Sequence, residues 1–246
     1  MGSLSAKRAL VTGASRGIGA AIAVALAREG ASVAITFERS AEKAAAVVRT
    51  IEGFGVTAFA IQADSADPSA VSASVRTATE ALGGLDILVN NAGISRRGPL
   101  ASATLQDIDA MLAVNVRASV LAIQAAIPHL AAGSRVITIG SSLAERVTQP
   151  GLALYAMSKS ALVGLTRGLA RDLGPSGITV NIVHPGPTDT DMNPADGPRA
   201  EVQRRQVALD RYSTPEDVAQ MVVFLASPAG HGISGASFAV DGGLNA

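Results

Sequence analysis

The chain of 246 residues contains no cysteine, which excludes disulfides, thiol nucleophiles and cysteine-ligated zinc, and nothing in it calls for an oxidising compartment. Nor is there an excess of charge of either sign, since 20 Lys plus Arg balance 20 Asp plus Glu. Broad attraction to nucleic acid or to an anionic membrane is therefore not expected, and a small metabolite is the better-fitting partner. No uninterrupted apolar run approaches the ~18 residues that mark a spanning helix. Met1 leads into small residues and then Lys7 and Arg8 rather than an apolar signal segment. The expected location is cytoplasmic. His129, His184 and His231 stand near no nucleophile elbow, and the scattered carboxylates form no metal-binding set, so no metal is expected. What is plentiful is apolar side chain, 48% of the residues and enough for a sizeable core.

Short apolar runs alternate with longer Ala-rich stretches from end to end, the pattern of repeated βαβ units around a parallel sheet. It predicts strands near 7–12, 31–37, 56–61, 85–90, 134–140, 177–183 and 236–240, and helices near 17–29, 41–53, 68–82, 104–131, 152–173 and 215–226. The fold expected is a single α/β domain over 1–246, a Rossmann-type doubly wound parallel sheet of about seven strands flanked by helices. One stretch, 186–214, breaks the alternation with repeated Pro, Gly and Asp and then a polar run, and its part 187–211 is expected to form a flap over a site.

The first strand runs directly into T-G-A-S-R-G-I-G at Thr12 to Gly19 and then into a helix. Gly13 and Gly17 permit tight backbone, Gly19 permits close packing, and the helix start offers unpaired N–H groups to a pyrophosphate, with Ser15, Arg16 and Ile18 alongside. The spacing Gly-x-x-x-Gly-x-Gly differs from the usual dinucleotide loop and lacks the Lys-Ser/Thr end of an ATP-binding loop. The second strand ends at Thr36 and Phe37 without the acid that would hold a ribose 2′-hydroxyl, and Arg39, Ser40 and Arg16 together suit a 2′-phosphate. NADP(H) is thus favoured, with NAD(H) left open because Glu38 adds a carboxylate beside the same site. Asp64 and Ser65 after the third strand read either as adenine contacts or as caps of the helix at Pro68.

Tyr155 and Lys159 stand four apart in Y-A-M-S-K, which on a helix puts phenol and ammonium on one face. A cation beside the phenol favours its ionised form, bringing a group that titrates near ~10 closer to a working range. Taken alone the pair also reads as a half-buried Tyr beside a snorkelling Lys, the commoner occurrence.

Jointly with N-N-A-G at Asn90 to Gly93, Asn115, Ser142 in G-S-S, and P-G-P-T-D-T at Pro185 to Thr190, these motifs resemble the short-chain dehydrogenase/reductase family over nearly the whole chain. Within it the sequence is most similar to 3-oxoacyl-acyl-carrier-protein reductases and related NADP-dependent carbonyl reductases. The resemblance implies a catalytic set of Asn115, Ser142, Tyr155 and Lys159. Tyr155 would protonate a carbonyl oxygen, Ser142 rather than Ser141 would donate to that oxygen, and Lys159 would lower the phenol pKa and bind the nicotinamide ribose. Asn115 would distort its helix and hold a water near Lys159. Asn91, Ala92 and Gly93 would wall the adenosine and ribose, with Asn90 supporting the strand. Pro185, Gly186 and Thr188 would meet the carboxamide, joined by Thr190 unless that residue only caps the following turn. It further implies a homotetramer, with the helices at 104–131 and 152–173 pairing between subunits and V-D-G-G at Val240 to Gly243 contributing. The partner is a small carbonyl or alcohol, with acyl carrier protein as an alternative weakened by Y-S-T-P-E-D at Tyr212 to Asp217, where relatives often carry Gly. Two other readings stand beside it, an NAD-dependent dehydrogenase of a secondary alcohol, sugar or steroid, and a catalytically inactive nucleotide-sensing protein.

Overall fold

All seven predicted apolar runs form strands: β1 (Arg8–Val11), β2 (Ser32–Phe37), β3 (Ala58–Gln62), β4 (Ile87–Asn90), β5 (Arg135–Ile139), β6 (Thr179–Pro185) and β7 (Ser237–Val240). They pair in parallel in the order β3-β2-β1-β4-β5-β6-β7 in the computed structural model, which describes residues 2–246. Because side chains alternate along a strand, each strand serves two cores. Ala9 and Val11 face one cluster with Val33, Ile35, Ile87 and Val89, while Leu10 faces the other with Ala34, Leu88 and Val136. The first core is covered by α1 (Gly17–Arg28), α2 (Ala41–Glu52) and α8 (Pro215–Ala226), and the second by α3 (Pro68–Leu82), α5 (Ala118–Ala126) and α6 (Ala153–Leu173). Successive connections therefore wind to opposite faces from β1 and β4, and the loops leaving those two neighbouring strands diverge to open a crevice at their carboxyl ends.

Local chemistry fixes the helix starts. Thr104 and Thr214 each form a reciprocal capping box with the acid three residues on, Asp107 and Asp217, and Asp67 caps α3 with Pro68 in its first turn. The predicted helix at 104–131 is segmented into α4 (Leu105–Leu112), a π turn (Ala113–Arg117), α5 and a 3₁₀ turn (Ile127–His129). By length and composition alone this segment would cross a membrane, yet Met111, Ala118, Ala122, Ile123 and Ala126 are buried within the domain. The segment 187–211 carries one short helix, α7 (Ala200–Arg204), with bridges from Thr188 to Ser213 and from Thr190 to Asn193.

The junction of β6 with the chain end is tight. A Cβ added at Gly186 would lie 2.6 Å from the Asp241 Cα, a backbone contact that no side-chain rotation relieves. Gly186→Ala is expected to cost about 1–3 kcal/mol, a fall of several degrees in Tm by calorimetry, and an unchanged Tm would contradict this packing.

Candidate active site

The glycine loop is braced from both sides of the crevice. Gly13 adopts φ 63° and Gly17 φ 56°, and a Cβ on Gly13 would meet the Ala92 Cα at 2.8 Å. The Gly13 N–H donates to the Thr36 hydroxyl at 2.9 Å, and the Asn91 amide donates to the Thr12 and Gly13 carbonyls at 2.9 and 3.0 Å. Asn91 thus lines the cleft as expected, but its amide is committed to the loop. Gly19 makes room for it, since a Cβ there would stand 2.4 Å from the Asn91 Nδ2. No side chain caps the start of α1, leaving its first N–H groups facing the cleft.

At the ends of β2 and β3 the charges are paired and exposed. Arg39 bonds Glu38 at 2.7 Å, while Arg16 and Lys43 both reach Asp191 of the flap, at 3.2 and 2.9 Å. Lys43, in the first turn of α2, carried no sequence signal of its own. The Asp64 carboxylate accepts from the Ala66 N–H, and Asp67 is the cap of α3, so the capping alternative for Asp64 and Ser65 is corrected while both still line the cleft.

At the opposite end α6 presents Tyr155 and Lys159 one turn apart. Lys159 is buried, its Nζ donating to the Ile139 carbonyl at 2.9 Å, and burial lowers it from 10.5 to about 8. Tyr155 is pushed up by burial, opposed by its contact with the Ser141 hydroxyl and by the charge of Arg97. Two expectations are corrected here. The hydroxyl against the phenol is that of Ser141, not Ser142. Ser141 continues the strand in extended backbone (φ −167°, ψ 146°), its N–H donating to His184 Nδ1 at 3.1 Å, whereas Ser142 opens a 3₁₀ turn, its carbonyl accepting from the Asn245 amide at 3.1 Å. Counting back from Tyr155 presupposes a fixed loop length between strand and helix, and the backbone here aims the earlier hydroxyl. Second, Lys159 does not lower the phenol, whose rise from burial is opposed by the Ser141 contact and then by the Arg97 charge.

Asn115 lies within the π turn, the helix distortion that was expected. Its amide donates to the Ile94 carbonyl at 3.0 Å and the Ser158 hydroxyl at 2.9 Å, and its Oδ1 accepts from the Ile94 N–H at 2.8 Å. It therefore fixes the segment after Gly93, whose added Cβ would stand 3.4 Å from both Asn115 Oδ1 and Lys159 Nζ. Asn90 is buried, but its amide makes no hydrogen bond, so it does not support the strand that way. Thr188 donates to the Gly186 carbonyl at 3.0 Å, and Thr190 accepts from the Asn193 N–H at 3.3 Å, the capping alternative. The chain end folds back on the site, Arg146 donating to the Leu244 carbonyl at 2.9 Å. Apart from Asn115, which is buried behind it, every residue expected in the site lines one cleft of about 640 Å³.

The fold and this cleft define a nucleotide-binding α/β protein of the Rossmann type, and comparison with known proteins gives the family. A family model described as Enoyl-(Acyl carrier protein) reductase matches residues 13–245. A short-chain dehydrogenase from Burkholderia cenocepacia J2315, solved in complex with NADP, is 61% identical with TM-score 0.98, covering 99% of this chain and 100% of that one. Two further relatives align along their whole length or nearly so. The cyclic-di-GMP-binding biofilm dispersal mediator protein of Escherichia coli K12 is 43% identical over 100% of both chains. The 3-oxoacyl-[acyl-carrier-protein] reductase FabG of Staphylococcus aureus Mu50 is 42% identical over 97% of this chain and 98% of its own. The chain belongs to the short-chain dehydrogenase/reductase family and is an oxidoreductase close to the 3-oxoacyl-acyl-carrier-protein reductases.

The Lys159 ammonium gives a test that needs no substrate. Between its folded value of about 8 and its ordinary 10.5, the unfolded chain holds a proton that the folded chain has released, so stability rises with pH across that window. In cofactor-free protein, the Tm advantage of Lys159→Met over the parent is expected to be largest below pH 8 and to shrink toward pH 10. A difference independent of pH would show that the ammonium is not desolvated.

Proposed function

We propose that this protein is an NADP(H)-dependent reductase that converts a ketone or 3-oxoacyl group to a secondary alcohol, with Tyr155 as the proton donor. The observation that carries the reading is the convergence of the Tyr155 phenol, the Ser141 hydroxyl and the buried Lys159 in the same cleft as the glycine loop. The residues present fit the cofactor. The uncapped start of α1 suits a pyrophosphate, and Arg16 and Lys43, which share Asp191, together with Arg39 after β2 would hold a 2′-phosphate. Their carboxylate partners are on exposed surface, where ion pairs are weak and readily exchanged. Lys159 would bind the ribose hydroxyls, and Pro185, Gly186 and Thr188 would meet the carboxamide, all four lining the same cleft. When bound, NADPH supplies the hydride that goes to the carbonyl carbon and is itself oxidised to NADP⁺.

The chain's own contribution is the proton and the charge. Burial keeps the phenol in its protonated form at neutral pH, so Tyr155 is loaded as an acid. Ser141 donates to the carbonyl oxygen and stabilises the negative charge that grows on it, and Tyr155 then delivers its proton to that oxygen. Asn115 holds Ile94 and Ser158 in place and so keeps Lys159 and Gly93 in register. This intact set supports an enzyme over a protein that only senses nucleotide. A homotetramer is the assembly we expect, supported by the apolar side chains Leu112, Val120 and Met157 exposed on the long helices. Light scattering should return four times the 24.7 kDa chain mass.

Steady-state kinetics on a carbonyl panel that includes a 3-oxoacyl thioester should show reduction with NADPH well ahead of NADH. An NADH preference would refute the phosphate assignment. Tyr155→Phe is expected to bind NADPH like the parent yet lose turnover by roughly 10²-fold or more. Ser141→Ala should lose about 10²-fold in kcat while Ser142→Ala loses far less; the reverse ranking would restore the residue expected from sequence.

A further inference from the structure

Behind the reacting end of the cleft lies a buried imidazole that the mechanism above does not use. His184 stands on β6, fully enclosed, and does not itself line the cleft. β5 and β6 are paired as far as Ile139 and Val183, and the Gly140 N–H still donates to the Val183 carbonyl at 2.7 Å. The Ser141 N–H is one residue further on, and its acceptor is a side chain, His184 Nδ1 at 3.1 Å. Glycine at 140 is what admits the ring, since a Cβ there would stand 2.4 Å from Nδ1 and 2.7 Å from Cε1.

An accepting Nδ1 carries no proton, so the neutral ring holds its proton on Nε2. That nitrogen is buried and has no hydrogen-bond partner among the described residues, so the ring gives up one bond in order to make the other. Burial holds the imidazole below its ordinary range, which favours the neutral form. A protonated ring would set N–H against N–H. The rest of the turn is held on either side, Lys159 Nζ donating to the Ile139 carbonyl at 2.9 Å and the Asn245 amide to the Ser142 carbonyl at 3.1 Å. The Ser141 Oγ accepts from the Leu143 N–H at 3.2 Å, which leaves its own proton to be donated. We propose that His184 is a positioning residue for the reaction, its Nδ1 fixing the backbone from which the Ser141 hydroxyl reaches the substrate oxygen. The inference rests on the reductase reading of the cleft and adds to it a residue outside the cleft wall.

The test is a double-mutant cycle on the full chain, with NADPH and the best substrate of the carbonyl panel. His184→Leu is expected to lower kcat about tenfold, the scale of one lost hydrogen bond and an N–H left unpaired, with KM for NADPH within about twofold of the parent. His184→Asn, which offers an amide oxygen close to the Nδ1 position, should recover most of that loss. In a Ser141→Ala background the His184→Leu change should cost less than about twofold, because the hydroxyl through which it acts is gone. An equal loss in both backgrounds means general packing and overturns the proposal. So does a parent-like kcat in His184→Leu, or an asparagine variant no better than the leucine one. If His184→Leu does not fold, or if the parent reduces no ketone and the reductase reading fails by itself, ¹⁵N NMR of the parent at neutral pH decides whether His184 holds Ser141. His129 and His231 are exposed, which distinguishes the buried ring. A proton on Nε2 with a hydrogen-bonded Nδ1 supports the proposal, and a proton on Nδ1 overturns it.

Discussion

Thr12 and Asn91, at the ends of β1 and β4, hold the two lips of the crevice together. The Thr12 hydroxyl accepts from the Asn91 and Ala92 N–H groups at 3.0 and 3.1 Å, while the Asn91 amide returns to the Thr12 and Gly13 carbonyls. These strands are neighbours whose following helices wind to opposite faces, so the loops must part, and the paired bonds fix how far. The positive φ at Gly13, the space left by Gly19 and the approach of Ala92 to the loop all follow from that one mesh. Thr36, the end of β2, closes it from the other side.

Across the crevice the governing term is burial rather than mutual attraction of Tyr155 and Lys159. Removing water pushes the phenol up and the ammonium down, so each group moves toward its neutral form. A protonated phenol is what a proton donor requires, and an ammonium lowered to about 8 remains mostly charged at neutral pH.

The fold was legible because its signals are periodic: seven apolar runs of strand length, separated by Ala-rich stretches, fall where the seven strands stand. The long helix was read as continuous because hydrophobic spacing does not register the one extra residue of a π turn, and only Asn115, a buried amide amid apolar neighbours, marked the place. The glycine loop and Pro185 to Thr188 stand out in the sequence because their spacing is distinctive, and both line the cleft. Ser141 was misread because its choice over Ser142 depends on where a strand stops and a 3₁₀ turn starts, a difference of one residue. Lys43 and Leu244 were missed because each reaches the site from a distant part of the chain, with no local pattern to announce it.

Charge in the cleft is distributed unevenly, and the unevenness has a structural cause. At the nucleotide end, cations on the α1 loop and α2 meet the Asp191 carboxylate of the 187–211 segment. A phosphate arriving there would compete with Asp191 for both cations, and Asp191 is followed by Met192 and Asn193, which also line the cleft. At the reacting end, the segment that carries Arg97 is pinned to the turn before α6 by the Gly98 N–H and the Gly151 carbonyl.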